Sequence, residues 1–350
     1  MRSFIQNIHH FRDEYVGNND VPAEKVVVFD EAQRAWTRQQ AASFMQRKRG
    51  QSQFDMSEPE FLISVMDRHE DWCTVICLIG GGQEINTGEA GISEWITALE
   101  ARFSHWAVHV SPRISLPDYG ASIDTSAFMA SPRVQADEHL HLAVSMRSFR
   151  AEALSDLIGH LVDNEVNQAR AAFARISEAY PIVVTRDLHK AKNWLRARAR
   201  GTERFGLIAS SGAQRLRPSG IHIKATVEPP NWFLNDARDV RSSYYLEEVA
   251  SEFDVQGLEL DWAGVCWDGD FHHDGHRWIS QAFKGSKWQS VNDASRRTYL
   301  KNAYRVILTR ARQGMVIFVP DGDTGDWTRP AAYYDGTYRF LVSCGIESID

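Results

Sequence analysis

Short runs rich in Val, Ile and Leu alternate along this chain with stretches of helical period, which is the pattern of an α/β fold. The apolar runs at 25–29, 74–79, 106–110, 140–145, 182–185, 206–209, 263–267 and 315–319 predict strands. They do not alternate cleanly between apolar and polar positions, as suits parallel strands buried on both faces. Ser57-Glu58-Pro59-Glu60 spells a capping box, with Ser57 as N-cap and Glu60 reaching back to it. Phe61, Leu62, Val65 and Met66 then mark one buried helix face. Residues 165–180 predict a helix ended by Pro181, and 185–199 a strongly basic one. Residues 292–312 predict a long helix stopped by Gly314, on which Arg305 and Arg312 share a face and Arg310 lies elsewhere. Residues 111–137 carry prolines at 112, 117 and 132 and make the natural linker. A first domain is therefore expected at 1–137 and a second at 138–350.

At 350 residues, 43% hydrophobic and 24% charged, the composition is globular and long enough for two domains. A net charge of -7 and a pI near 6.0 argue against a globally basic nucleic-acid binder but leave room for a local basic groove. No apolar run approaches the roughly 20 residues of a membrane helix, and the first residues carry no signal-peptide core. Four cysteines give no disulfide framework, so a reducing cytoplasm is the expected location. Cys73 and Cys77 share one apolar segment and are expected as buried strand thiols rather than zinc ligands. The His272-His273-Asp274-Gly275-His276 stretch lacks helical i,i+4 ligand spacing and is expected as a polar surface loop rather than a metal site.

Candidate chemistry begins at Val26-Val27-Val28-Phe29-Asp30-Glu31-Ala32-Gln33. An apolar strand ending in two carboxylates suits a Walker B motif, in which Asp30 holds Mg²⁺ and Glu31 polarises the attacking water. The alternative is a strand that simply ends in solvated acids. One strand–helix–strand step later, Gly80-Gly81-Gly82-Gln83 lets the backbone approach a ligand and places Gln83 to reach a γ-phosphate oxygen or that water. Arg147 follows the predicted strand at 140–145, where a plain surface arginine is the competing reading. Between 186 and 217 stand Arg186, Lys190, Lys192, Arg196, Arg198, Arg200, Arg204, Arg215 and Arg217 against Asp187 and Glu203, a local +7. With Trp194, Phe205 and the Ser210-Ser211-Gly212 turn, this stretch is the best candidate for phosphate-backbone contact. Gly257-Leu258-Glu259 suits a turn presenting Glu259 to a ribose or a coupling partner. An arginine from Leu308-Thr309-Arg310-Ala311-Arg312 can act as a finger stabilising charge on a transferring phosphoryl.

Taken in order, Asp-Glu-x-Gln, the glycine-rich turn with Gln83, the strand-end Arg147, Gly-Leu-Glu and Leu-Thr-Arg-Ala resemble motifs II to VI of superfamily 1 helicases. The chain more closely resembles a bacterial uncharacterised family with a Schlafen group-three-like DNA/RNA helicase domain. Phe29 to Trp36, Glu252 to Asp261, Tyr304 to Arg312 and Gly206 to Ala213 carry the likeness, which covers nearly the whole chain. The resemblance implies two RecA-like parallel-sheet domains of the P-loop NTPase type, the first N-terminally incomplete. It implies Asp30, Glu31, Gln83, Arg147 and Arg310 as catalytic residues, with Asp30 on Mg²⁺. It further implies Gly82, Gln83, Gly257, Glu259 and Arg310 against the nucleotide, ATP with Mg²⁺ as cofactors, and DNA or RNA as partner. Arg196, Arg198, Arg200, Ser210 and Ser211 are the expected nucleic-acid contacts.

One departure is large: no G-x-x-x-x-G-K-[ST] loop occurs in the 350 residues. ATP hydrolysis is therefore expected only if a P-loop comes from another segment or from a polypeptide encoded upstream. The alternatives are a non-catalytic nucleic-acid-binding or scaffold protein and a metal-dependent nuclease using Asp30 and Glu31.

Overall fold

Ile182–Thr185 and Phe205–Ala209 are buried along their whole length, on both alternating sets of side chains. Strands of that kind belong to a parallel sheet covered on both faces. The computed structural model describes residues 5–49, 54–80, 91–115, 124–141 and 149–350. They fall into two compact units, Met1–Ala143 and Val144–Asp350.

In the first unit the chain runs α1 (Ile8–Tyr15), β1 (Val26–Phe29), α2 (Arg38–Arg49), α3 (Glu58–Met66), β2 (Thr74–Cys77), α4 (Gly91–Ala101), β3 (Val108–Val110), α5 (Ser126–Met129) and β4 (Val134–Ala136). β1 pairs in parallel with β2, and β3 with β4, as two separate two-stranded sheets. Val27, Phe29, Val75 and Cys77 turn one face of β1–β2 onto an apolar cluster with Phe11, Leu62, Val65 and Trp95. The other face presents Val26, Val28 and Ile76, with Leu78 just beyond β2, all 38–54% exposed. The proline-bearing stretch 111–137 is not a bare linker. It contains α5 and β4, whose pairing with β3 is possible only inside this unit.

The second unit continues with α6 (Phe149–Val162), α7 (Val166–Ile176), β5 (Ile182–Thr185), α8 (Leu188–Arg198), β6 (Phe205–Ala209), α9 (Pro229–Leu234), β7 (Val249–Ser251), β8 (Leu260–Cys266), β9 (Phe271–His273), β10 (Trp278–Lys284), β11 (Lys287–Ser290), α10 (Ala294–Leu308), β12 (Ala311–Phe318), α11 (Ala331–Ser343) and β13 (Glu347–Ser348). Six strands form one parallel sheet in the order β13-β5-β12-β8-β6-β7. One face carries a core with α6, α7, α10 and α11, where Ile182, Val184, Ile208, Val265 and Ile317 point. The other carries Val183, Leu207, Cys266 and Val316 under α8. β9, β10 and β11 form a small antiparallel sheet.

The capping box at Ser57 and Glu60 is present, and Asp187 caps α8 through the N–H groups of His189 and Lys190. The long helix expected over 292–312 is shorter. α10 ends at Leu308, where Thr309 Oγ1 donates to the Arg305 carbonyl at 2.8 Å and Arg310 Nε to the Val306 carbonyl at 3.1 Å. The chain then enters β12, so Arg312 lies on a strand and shares no helix face with Arg305. Gly314 does not stop the helix. It sits mid-strand, where a Cβ would come within 2.5 Å of the Pro181 carbonyl oxygen. The strand expected over 140–145 lies largely outside the described residues, and its first residue, Leu140, ends a 3-10 turn.

Candidate functional site

Strand β1 delivers Asp30 and Glu31 at its C-terminal end, the end of a parallel sheet where ligands are met. Asp30 is exposed, and its Oδ1 accepts the Glu31 N–H at 3.0 Å. Glu31 has φ 52, ψ 41, a left-handed conformation that a non-glycine residue adopts at a cost of about 1 kcal/mol or more. Neighbouring bonds hold the turn in place. Ala32 N–H donates to the Leu78 carbonyl at 2.9 Å, and Trp95 Nε1 to the Ala32 carbonyl at 2.8 Å. Gln33 is fully buried and joins the two motifs: its Nε2 donates to Glu31 Oε2 at 2.7 Å and its Oε1 accepts the Gly80 N–H at 3.1 Å. The Gly80 donor sets the amide's orientation, so its nitrogen must face the Glu31 carboxylate. Gly82, Gln83 and Arg147 lie outside the described residues. Mg²⁺ is commonly held by one or two carboxylates together with nucleotide phosphates and waters, and an exposed strand-end Asp30 fits that donor set.

Composition alone did not disclose what secures this turn from behind. Glu58 is buried at the start of α3, its Oε1 accepting Arg12 Nη1 at 2.9 Å and its Oε2 the Trp36 N–H at 2.9 Å. Arg12, also buried, lies over the rings of Trp36 and Phe44 at 5.0 and 4.8 Å. The only sequence signal was the acidic first turn of a helix, which is ordinarily exposed.

In the second unit, Gly257 turns with φ 80 just ahead of β8, a conformation suited to glycine. Glu259 follows and pairs with Arg312 Nε at 2.8 Å. Arg310 is buried beside them, its carbonyl accepting the Leu260 N–H at 2.8 Å. These residues lie where β8 and β12 begin. Arg196, Arg198 and Arg200 are exposed at the same edge, since α8 returns to the start of β6.

Ser210 and Ser211 are at the opposite edge, and both hydroxyls are spent on carboxylates. Ser210 Oγ donates to Asp270 Oδ2 at 2.6 Å and Ser211 Oγ to Glu252 Oε1 at 2.7 Å. The five residues expected as one nucleic-acid surface are thus divided between the two ends of β6.

Asp268 and Asp270, fully buried, anchor that opposite edge. Asp268 accepts the N–H groups of Gly269 at 2.7 Å and Arg215 at 2.8 Å and the Tyr334 hydroxyl at 2.8 Å; Asp270 accepts the Tyr304 hydroxyl at 2.6 Å. Burial raises both carboxyls, and Asp270 pushes Asp268 further, against the pull of these hydrogen bonds. A raised folded-state pKa means the native protein keeps a proton that the unfolded chain releases. Stability from this group is therefore lost as pH rises from the ordinary carboxylate range through about 7. Urea unfolding followed from about pH 5 to 8 is expected to show stability declining as the pH rises. Asp268→Asn should flatten the slope even though it lowers stability throughout; an unchanged slope would contradict the assignment.

His272 and His273 are not in a polar surface loop. Both are buried on β9, where His272 stacks on Tyr333 at 3.8 Å and His273 Nε2 shares a hydrogen bond with Asn164 Oδ1 at 2.8 Å. Burial lowers both imidazoles. Cys77 faces the core of the first unit as expected, and burial pushes its thiol up to about 12. Among the described residues no group of three or more His, Cys, Asp and Glu is arranged to hold a metal, and no helix is long and apolar enough to cross a membrane.

None of the curated proteins compared with this chain matches it. The family model for the Schlafen group 3 DNA/RNA helicase domain matches residues 1–321, which span the carboxylate turn and the edge carrying Glu259 and Arg310. The chain belongs to the Schlafen group 3 DNA/RNA helicase-domain family.

Proposed function

We propose that this chain is the portion of a Schlafen-type, nucleic-acid-dependent ATPase that bears motifs II to VI, and that its phosphate-gripping loop is supplied by another segment or polypeptide. The observation that carries this reading is the Glu31–Gln33–Gly80 bridge. It places a carboxylate, its orienting amide and the start of the glycine-rich turn in one hydrogen-bonded unit at a parallel strand end. In this reading Asp30 would hold Mg²⁺ and Glu31 would orient the attacking water. Gln83 would read the γ-phosphate, Arg147 and Arg310 would offset charge on the transferring phosphoryl, and Gly82, Gly257 and Glu259 would line the nucleotide. ATP with Mg²⁺ supplies the phosphoanhydride whose cleavage drives the protein. The uncovered apolar face of Val26, Val28, Ile76 and Leu78 supports a further segment packing on the first unit, because parallel sheets are ordinarily covered on both faces.

The test is reconstitution. The chain is mixed with a P-loop polypeptide encoded beside it, or extended with any in-frame P-loop segment, and ATP hydrolysis is measured with and without single-stranded DNA or RNA. Hydrolysis that needs both parts and rises with nucleic acid is the expected result. Nucleic-acid binding without turnover in every combination would replace this reading with a non-catalytic scaffold.

A further inference from the structure

Asp268 and Asp270 stand between β8 and β9, one residue apart and both fully buried. Among the described residues neither forms an ion pair with a cation. Arg215, in the turn after β6, gives Asp268 only its backbone N–H and turns its guanidinium to Asp326 at 2.6 Å. Arg329, ahead of α11, bonds to Tyr334. His272 on β9 shares its Nδ1 with the Gly269 carbonyl at 2.9 Å. Glu252, just past β7, adds a further negative charge facing Asp270 and accepts the Ser211 N–H and hydroxyl, each at 2.7 Å.

Ionising both carboxyls here is costly, because water does not reach them and no cation neutralises them. Two acids so placed share a proton instead, and it belongs to the pair. Asp268 accepts two backbone N–H groups, which can only donate, and the Tyr334 hydroxyl. The side chains that meet Asp270 are hydroxyls, Ser210 and Tyr304, each at 2.6 Å. A hydroxyl can turn from donor to acceptor, so a protonated Asp270 keeps both partners. The turn after β6 lies tightly over this site. A Cβ on Gly212 would come within 2.6 Å of Asp270 Oδ2, and the Gly212 N–H donates to Ser210 Oγ at 3.1 Å. Tyr304 and Tyr334 reach the pair from helices packed into the core, whereas residues 211, 212, 214 and 215 are only half-buried. The turn is therefore the element that opens most readily to water.

We propose that Asp268 and Asp270 hold one proton between them and act as a pH-operated latch, which clasps the 210–215 turn to α10 and α11 while the proton is in place and frees the turn when it leaves. The closed latch keeps a proton that the opened one, with its carboxylates in water, releases. Opening is therefore favoured as pH rises. Burial, with Asp270 alongside, raises Asp268 to about 7, which sets the working range around neutrality. The latch is independent of ATP hydrolysis, and its test uses neither nucleotide nor nucleic acid.

Amide hydrogen exchange of the full chain reads the latch, corrected for the intrinsic pH dependence of exchange. The N–H groups of Ser211, Gly212 and Arg215 are the reporters, since their acceptors are Glu252, Ser210 and Asp268. Their protection should fall about tenfold from about pH 6 to 8, and at the upper end they should exchange well ahead of the amides of β5 and β12. Constant protection would overturn the latch. So would protection equal to that of β5 and β12, because the turn would then open only with the whole unit. Asp270→Asn, whose hydroxyl neighbours can reverse, should cut the fall to less than about threefold, while Glu252→Gln should keep it. A fall that persists in Asp270→Asn, or vanishes in Glu252→Gln, would place the proton elsewhere. The unmodified chain gives a second readout should Asp270→Asn fail to fold. Its infrared spectrum should show a buried carboxylic-acid carbonyl band at about pH 6 that fades by about pH 8. No such band at the lower pH, or an undiminished one at the higher, would overturn the shared proton.

Discussion

A Glu31→Gln variant, assayed with the P-loop polypeptide present, is expected to lose ATP hydrolysis by roughly 10²–10³-fold while its nucleotide affinity changes little. The exchange is nearly isosteric and keeps an oxygen that can accept from Gln33, so the turn should survive. What disappears is the negative charge that polarises water. The backbone supports a specific demand at this position, since Glu31 is held left-handed while Gln33 pins its carboxylate at 2.7 Å. Gln33→Leu separates positioning from chemistry: it leaves Glu31 charged but cuts the tie to Gly80, so turnover should fall while Mg²⁺ dependence is retained. Steady-state phosphate release and equilibrium nucleotide binding measure the two quantities. Hydrolysis that persists at the unmodified rate in Glu31→Gln would remove the carboxylate from the mechanism.

Truncating Arg12 in the buried Arg12–Glu58 pair is expected to cost the first unit about 3–5 kcal/mol, because the Glu58 charge then loses its arginine away from water. Each group is 0–1% exposed, so solvent cannot take over for the missing partner. Glu58 also accepts the Trp36 N–H and a hydrogen bond shared with His9 Nδ1 at 3.0 Å, tying α1, α3 and the segment after the carboxylate turn together. Arg12→Met should therefore lower the urea midpoint sharply. Arg12→Lys should fall between, since an ammonium keeps the charge but loses the planar fork that serves Glu58 and Asp13 together. Replacing both partners with methionine should recover a large part of the loss. Equal stability of Arg12→Met and the unmodified chain would mean that the pair contributes nothing.

Where helix and strand signals were local, they could be read directly. Ser57 and Glu60 close their capping box within four residues, and Ile182-Val183-Val184 is an unbroken apolar run because both faces of its strand are covered. The error at 292–312 came from the same kind of reasoning. Gly314 resembles a helix stop in sequence, yet its small size answers to Pro181 at the start of a neighbouring strand, a proximity that no local pattern records. His272 and His273 looked polar and exposed, but β9 buries them against Tyr333 and Phe340. Short strands such as β4 and β7 carry few apolar residues and take their pairing from β3 and β6, far along the chain.

By itself the sequence determined the α/β alternation, the parallel character of the main sheet though not the antiparallel β9–β11, and an Asp-Glu pair at the end of the first strand. Those features depend on side-chain type over a handful of consecutive residues. Only the tertiary structure decided which charges stand together. Arg200 and Ser210 are near neighbours in sequence, but a five-residue strand at about 3.3 Å per residue sends them to opposite sheet edges. Glu259 and Arg312 are 53 positions apart and meet at 2.8 Å, because parallel pairing of β8 with β12 brings their starts together. Likewise Gln33 finds Gly80 only because β1 and β2 end side by side.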